Sequence, residues 1–376
     1  MNICIVTEFF PHDESLDIKG GVEVCCYNEA TELSKYHNVT VLTSKESSEK
    51  EFYLNNVHVI CCGNDRGYVQ KGSFSQRLSF MKDAIKKGKN LENIDLVIGY
   101  NFITYPVALK IANKLGSKVA ARYHDVWVGE WIKNMGITGI VGEILERYIL
   151  RQNIDLYLAV SDYTNQNLQK YVKAEKIKTI HNIVDFKLVE SEAYKKPTIS
   201  CVARLVEYKR VNDLVRAINI VKKEIPEIQC KIIGTGPEEE KLKQLTKELN
   251  LEDTIEFMGF VEDHDDVMKT INSSKVFVLP SIVEGFGIVI IESQAQETPF
   301  VASQIPPVQE SSGQKGGLFF QPKNYEELSQ KLLEILQDEE LYKKLQKEGK
   351  ENSQKYTKEE IGKKLNQAYT ELLNSH

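Results

Sequence analysis

The sequence predicts an α/β fold made of two doubly wound parallel-sheet units. Two observations carry this. Short apolar runs alternate with helical patterns almost throughout, and the alternation restarts after an irregular polar stretch at 186–197. At 376 residues the chain has the length of two domains, each able to bury its own core.

In the first unit the expected strands are 2–7, 39–43, 58–62, 95–99, 117–123, 155–160 and 177–180. Each is rich in Val, Ile or Leu, as strands covered on both faces must be. Helical patterns at 21–36, 104–115 and 139–151 lie between them. The second unit runs strand 198–203, helix 210–224, strand 228–233, helix 237–249, strand 254–258, helix 265–273, strand 275–279, helix 287–297 and strand 299–303. The last fifty or so residues are charged and helical, ending with 358–374.

Composition narrows the function. Hydrophobic residues make 41% and charged residues 27%, with a net charge of −6, so nucleic acid is not the expected partner. No apolar run reaches the ~18 residues of a membrane span, and no secretion-type signal opens the sequence. The seven cysteines include no C-x-x-C pair, which argues against a zinc knuckle or a redox motif. The expected compartment is therefore the cytoplasm.

Open α/β sheets bind ligands beyond the carboxyl ends of their strands, so the residues just after strands carry the search. Glu284 and Glu292 stand out. A strand ends at Pro280, a turn holds Glu284, Gly285, Phe286 and Gly287, and a helix carries Glu292. Glycines let backbone N–H groups approach a ligand, a helix start favours anions, and carboxylates accept from sugar hydroxyls. Arg204 and Lys209 follow strand 198–203, where a guanidinium fork and an ammonium can hold a diphosphate. Gly234-Thr-Gly236-Pro237 follows strand 228–233 as a tight turn, with Pro opening the next helix. His124 ends strand 117–123. Gly20-Gly21 precedes the first helix, but not as G-x-G-x-x-G, so a hydride-transfer cofactor is not supported. Each feature alone also admits a structural reading as a turn, a cap or a solvated charge.

Together, Glu284 and Glu292 at their spacing, Gly20-Gly21-Val22, His124-Asp125, Val160-Ser161, Asn182-Ile-Val-Asp185, Arg204 with Lys209 and Gly234-Thr-Gly236 resemble retaining glycosyltransferases of family 4. The resemblance spans nearly the whole chain. It implies the GT-B fold, with two Rossmann-like domains facing across a cleft. It implies an acceptor-binding domain over 1–186, on which a final helix of about 358–376 packs, and a nucleotide-sugar-binding domain over 187–357. It implies that Arg204 and Lys209 grip the donor phosphates, Glu292 takes the ribose, and Glu284 with the 285–287 backbone orients the sugar. Gly234, Gly236, Phe260 and Val261 would lie along the nucleotide, the last two where the family holds the base. His124 would touch the transferred sugar and the Gly20-Gly21 backbone the phosphates. No cofactor or metal is implied. The acceptor would be a glycan, a lipid-linked intermediate or another glycoconjugate. Rival readings are a nucleotide-sugar epimerase, which would turn over donor without acceptor, and a non-catalytic nucleotide-sugar-binding subunit.

Three features sit apart. Asp263-His264-Asp265 has the form of a D-x-D metal motif, but it opens a helix, where acids favour the dipole and can cap. The stretch 66–89 holds seven cations against Asp83, with Phe74, Leu78, Met81 and Ile85 at helical spacing. It reads as a core-facing helix with a basic face, or as an interfacial helix that meets anionic lipid at the inner membrane face or a phosphorylated acceptor. Finally, family glycines are replaced by Arg210 after Lys209, by Glu297 before Thr298-Pro299, and by Pro306-Pro307 in a loop that then lacks two backbone donors.

Overall fold

A computed structural model describes residues 1–12, 21–45, 50–65, 74–184 and 188–375. It separates into two compact units, one of residues 1–183 with 357–376, the other of residues 184–356.

The first unit is an eight-stranded sheet of β1 (Asn2–Val6), β2 (Asn38–Ser44), β3 (Glu51–Leu54), β4 (Val57–Cys62), β5 (Leu96–Gly99), β6 (Lys118–Tyr123), β7 (Leu156–Ala159) and β8 (Ile177–Thr179). Their order is β3-β4-β2-β1-β5-β6-β7-β8, parallel except for β3. The connecting helices are α1 (Gly21–Leu33), α2 (Phe74–Gly88), α3 (Tyr105–Leu115), α4 (Trp131–Met135), α5 (Gly139–Leu150) and α6 (Asp162–Leu168). β1 registers Ile3 against Val39 on one side and Leu96 on the other, so its Cys4 and Val6 sit in the core. The sequence pattern does not show β3. It pairs antiparallel with β4 through a hairpin at Asn55 and Asn56, both at positive φ.

The second unit is a six-stranded, all-parallel sheet of β9 (Thr198–Val202), β10 (Gln229–Ile233), β11 (Ile255–Gly259), β12 (Val276–Leu279), β13 (Phe300–Ser303) and β14 (Gly317–Phe320), ordered β11-β10-β9-β12-β13-β14. Its helices are α7 (Val211–Glu224), α8 (Glu239–Glu248), α9 (His264–Ser273), α10 (Ile288–Ala295), α11 (Pro306–Ser312), α12 (Tyr325–Gln337) and α13 (Glu339–Ser353). Both faces are covered: Ile199, Cys201, Val276 and Val278 pack among α7 and α12 residues, while Phe277, Leu279 and Phe300 pack with α9 and α10. The last helix, α14 (Lys358–Asn374), belongs to the first unit. There Asn366 lies 2.6 Å from His37, and Glu371 pairs with Lys178.

α2 buries Phe80 and Ala84 most deeply, with Met81 and Ile85 of the expected face half-buried against the same core, while Leu78 is 39% exposed. Two of its cations are used inward: Arg77 pairs with Glu8 at 3.1 Å, and Lys87 pairs with Asp83 and donates to the Cys61 carbonyl. Residues 66–73 of the basic stretch lie outside the described residues.

Candidate functional site

Strand order locates the site in the second unit. From β9 the chain winds outward through β10 and β11, then returns to the opposite side of β9 as β12. The loops leaving β9 and β12 therefore part at a topological switch point, where a doubly wound sheet opens a crevice. Arg204 and Lys209 leave β9; Glu284 leaves β12.

Across that point Lys209 Nζ lies 2.6 Å from Glu284 Oε1, with side-chain exposures of 18% and 12%. The two loops are also joined by backbone, since Ile282 N donates to the Tyr208 carbonyl at 2.9 Å. The ammonium has three protons and the carboxylate two oxygens, so one hydrogen bond leaves each group with capacity for a ligand. Arg204 is exposed, with no carboxylate partner among the described residues. Arg210 is different: its guanidinium forks onto Asp213 at 2.9 and 2.8 Å, so the charge it adds is already matched.

The β10 turn packs against the Arg204 loop. A Cβ on Gly234 would lie 2.0 Å from the Ala203 carbonyl oxygen, and one on Gly236 would lie 2.2 Å from that of Leu205. Leu205 N donates to Thr235 O, Ala203 N to Ile233 O, and Gly234 N to Gly259 O. Both glycines are thus required by loop-on-loop contact before any ligand is considered. Beyond β11, Phe260 is 46% exposed, and Val261 packs at the edge of the α9–α10 core.

Gly287 is the N-cap of α10 at φ 79°, a conformation open to glycine. Phe286 is buried and meets Tyr356 edge-on at 5.6 Å, so its ring belongs to the core and only its backbone faces the turn. On α10, Glu292 is 5% exposed and its Oε1 lies 3.5 Å from His264 Nε2. Burial pushes the Glu292 carboxyl up, and His264 pulls it back down. His264 belongs to the Asp263-His264-Asp265 segment. There Asp263 caps α9 by accepting from Asp265 N at 2.9 Å. The sequence flagged the two aspartates and missed the histidine between them as the companion of Glu292. Among the described residues no cluster of His, Cys, Asp or Glu could hold a metal.

In the first unit, His124 follows β6. Its Nε2 is shut from solvent without a hydrogen-bond partner among the described residues, and its ring lies 5.2 Å from Tyr100. Burial, with the Arg122 charge adding to it, pushes the imidazole down to about 3, so it is neutral at ordinary pH. Arg122 is fully buried. It pairs with Glu29 of α1 at 2.7 Å and donates to the carbonyls of Ile180 and His181 and to Asn182 Oδ1. Asn182 therefore works inside the fold. Ser161 also has a local task, capping α6 through Thr164 N. Gly21 opens α1; Gly20 lies outside the described residues.

Two of the replaced family glycines keep the backbone they imply. Arg210 has φ 52° and Glu297 φ 56°, both left-handed. Such a residue costs about 1 kcal/mol, and each is held by an ion pair, Arg210 to Asp213 and Glu297 to Lys350 at 2.6 Å. Pro306 and Pro307 open α11, where missing N–H groups matter least.

The model for glycosyl transferases group 1 matches residues 184–352, and that for glycosyltransferase family 4 matches residues 19–188. The chain belongs to this family, with the GT-B fold. An uncharacterized glycosyltransferase of Methanocaldococcus jannaschii is 28% identical over 94% of this chain and 95% of its own. One of Haemophilus influenzae is 31% identical over 56% of this chain and 63% of its own, so the match spans less than two thirds of that relative. Among solved structures, sucrose-phosphate synthase of Thermosynechococcus elongatus superposes over 100% of both chains with a TM-score of 0.84 at 20% identity. HepE of Anabaena, solved with UDP and glucose, gives 0.78 at 17% identity over 99% of this chain and 100% of its own.

Proposed function

We propose that the chain is a retaining glycosyltransferase that moves a sugar from a nucleoside-diphosphate sugar to a hydroxyl of a glycan, lipid-linked or other glycoconjugate acceptor, without a metal. The observation that carries this reading is the Lys209–Glu284 pair at the β9/β12 switch point, with exposed Arg204 earlier on the same β9 loop. The donor diphosphate takes the remaining protons of Lys209 and the fork of Arg204. Glu284 Oε2 accepts from a sugar hydroxyl, and Glu292 from the ribose. As the bond between C1 and the phosphate oxygen breaks, the two cations stabilise the charge growing on the leaving diphosphate. The acceptor oxygen joins C1 on the face the diphosphate leaves, and its proton passes to a phosphate oxygen. That HepE was solved with UDP-glucose supports a nucleotide-sugar donor.

The family resemblance further assigns the sugar to His124 and the phosphates to Gly20-Gly21. His124, being neutral, acts there as a hydrogen-bonding group and not as a cation. Among the described residues of 66–89, contact with anionic lipid draws support from exposed Lys82, Lys86 and Lys89, because Arg77 and Lys87 are paired inward. Among the described residues no helix is long and apolar enough to cross a membrane.

The test is a panel of nucleoside-diphosphate sugars with the metal chelated. A true donor stabilises the fold, by about 2.7 kcal/mol at 100 times its Kd. It then gives a product with the donor's anomeric configuration by NMR once an acceptor is supplied. An inverted product, or donor conversion without acceptor, overturns the reading.

A further inference from the structure

We propose that His264 is a positioning residue for Glu292: its ring fixes the carboxylate that accepts from the ribose, so that the pair, and not Glu292 alone, selects a ribonucleotide over a deoxyribonucleotide. The inference rests on the reading that Glu292 takes the ribose of the donor.

Glu292 is out of keeping with its helix. It is the single charged residue of α10, in the run Ile288-Val-Ile-Ile-Glu292-Ser-Gln-Ala295, and it is 5% exposed beside buried Ile291 and Ser293. The polar side chains next to it are used elsewhere. Ser293 Oγ donates to the Ile290 carbonyl, and Gln294 Nε2 donates to those of Ser312 and Lys315. Among the described residues, no hydrogen bond reaches the Glu292 carboxylate. A buried carboxylate without donors is costly, and one that persists points to donors brought by a ligand.

His264 is the side chain that faces it. Its Nε2 is shut from solvent and lies 3.5 Å from Glu292 Oε1, while the side chain as a whole is 30% exposed. The acids around His264 have other places or tasks. Asp263 caps α9 by accepting from Asp265 N at 2.9 Å, Asp266 pairs with Lys269 at 2.7 Å, and Glu262 and Asp265 are exposed. The same loop carries Phe260, 46% exposed, and is docked on the β10 turn where Gly234 N donates to Gly259 O at 2.7 Å. One short segment therefore offers an open ring for the base at one end and the companion of Glu292 at the other.

The chemistry follows from the open pair. Ribose has two neighbouring hydroxyls, and an ionised carboxylate can accept from both. A Glu side chain left to itself must be ordered by each nucleotide, at a cost in affinity. Closing the pair by about half an ångström lets Nε2–H donate to Oε1, which orients the carboxylate and leaves lone pairs on both oxygens for the ribose. A nucleotide lacking one hydroxyl then strands a buried, oriented acceptor, the kind of loss that discriminates strongly.

The test is calorimetry of the full chain with UDP, GDP and ADP, each beside its 2′-deoxy and 3′-deoxy analogues. The wild type is expected to bind at least one ribonucleotide about tenfold more tightly, or better, than one of its deoxy analogues. His264→Phe keeps a ring without nitrogen. It should cut that preference to about twofold or less and leave affinity for the deoxy analogue within about twofold. Glu292→Gln should cut it as well, and the double variant should lose no more than either single one. His264→Gln, which keeps an N–H donor, should retain more of the preference than His264→Phe. Circular dichroism melts come first, and His264→Ala replaces the Phe variant if that one melts early. Equal weakening of ribonucleotide and deoxy analogue by the His264 change would mean that the ring only supports the fold, and overturns the proposal. So does a preference that survives His264→Phe while Glu292→Gln abolishes it; the ribose reading then stands and the positioning role falls. A preference that survives Glu292→Gln, a wild type without preference, or one that binds none of the nucleotides overturns the ribose reading and this proposal with it.

Discussion

Lys209 Nζ and Glu284 Oε1 stand 2.6 Å apart and join the loops on either side of the β9/β12 switch point. Most of each side chain is out of solvent, so each charge depends on the other. Lys209→Met or Glu284→Gln alone should lower stability by about 1–3 kcal/mol in urea unfolding. The double variant should lose less than the sum, because the single changes each strand a partner. Additive losses would show that the pair is not coupled.

The glycines of the β10 turn should separate from that of the β11 turn. Gly234→Ala puts a Cβ 2.0 Å from a carbonyl oxygen at φ 129° and should cost about 2–4 kcal/mol. Gly259→Ala, at φ 70° with nothing within 4 Å, should cost only about 1 kcal/mol. Thermal melts of the two variants check the ranking.

Glu292 is expected to trade stability for function. Its carboxyl is raised by burial, so its contribution to stability is present at low pH and is lost as pH rises through the folded-state value. Glu292→Gln should therefore raise the melting temperature most at neutral and alkaline pH, while weakening nucleotide binding. His264→Gln removes the group that lowers Glu292 and should steepen the pH dependence.

His124 supplies the opposite sign. With the folded imidazole near 3 and the unfolded one near 6.5, the unfolded chain binds the extra proton across that window. Stability should fall as pH drops below 6.5, by about 1.4 kcal/mol per pH unit from this group. His124→Gln should flatten that part of the curve in denaturant unfolding at pH 7 and pH 5. An imidazole NMR titration near 6.5 would contradict a neutral His124 with its Nε2 shut from solvent.

Much of this was legible from residues alone, for definite reasons. Strands buried on both faces write themselves as Val, Ile and Leu runs, so β1, β9, β10 and β12 are visible. β3 is not, because its Glu51-Phe-Tyr-Leu54 pattern is short and lies at an exposed edge. α2 is amphipathic, and Met81 and Ile85 of the face read from spacing do pack on the core, but its deepest positions, Phe80 and Ala84, are set by tertiary contacts that spacing does not give. Candidate residues at strand ends can be named from the sequence because the fold class says where to look. Their pairings cannot: Glu292 meets His264, and Arg122 reaches Glu29 and Asn182, only through the crossing of distant elements. Arg210 and Glu297 show a subtler limit. The side chain departs from the family glycine while the left-handed backbone stays.

The central claim is that the cations of the β9 loop grip a diphosphate, and calorimetry tests it most directly. UDP, GDP and ADP are titrated into the wild type, Lys209→Ala and Arg204→Ala, each shown to be folded. At least one nucleotide should bind the wild type, and each variant should bind it about tenfold more weakly or worse, a loss of ~1.4 kcal/mol. Equal affinity in all three proteins would place the diphosphate elsewhere and contradict the account.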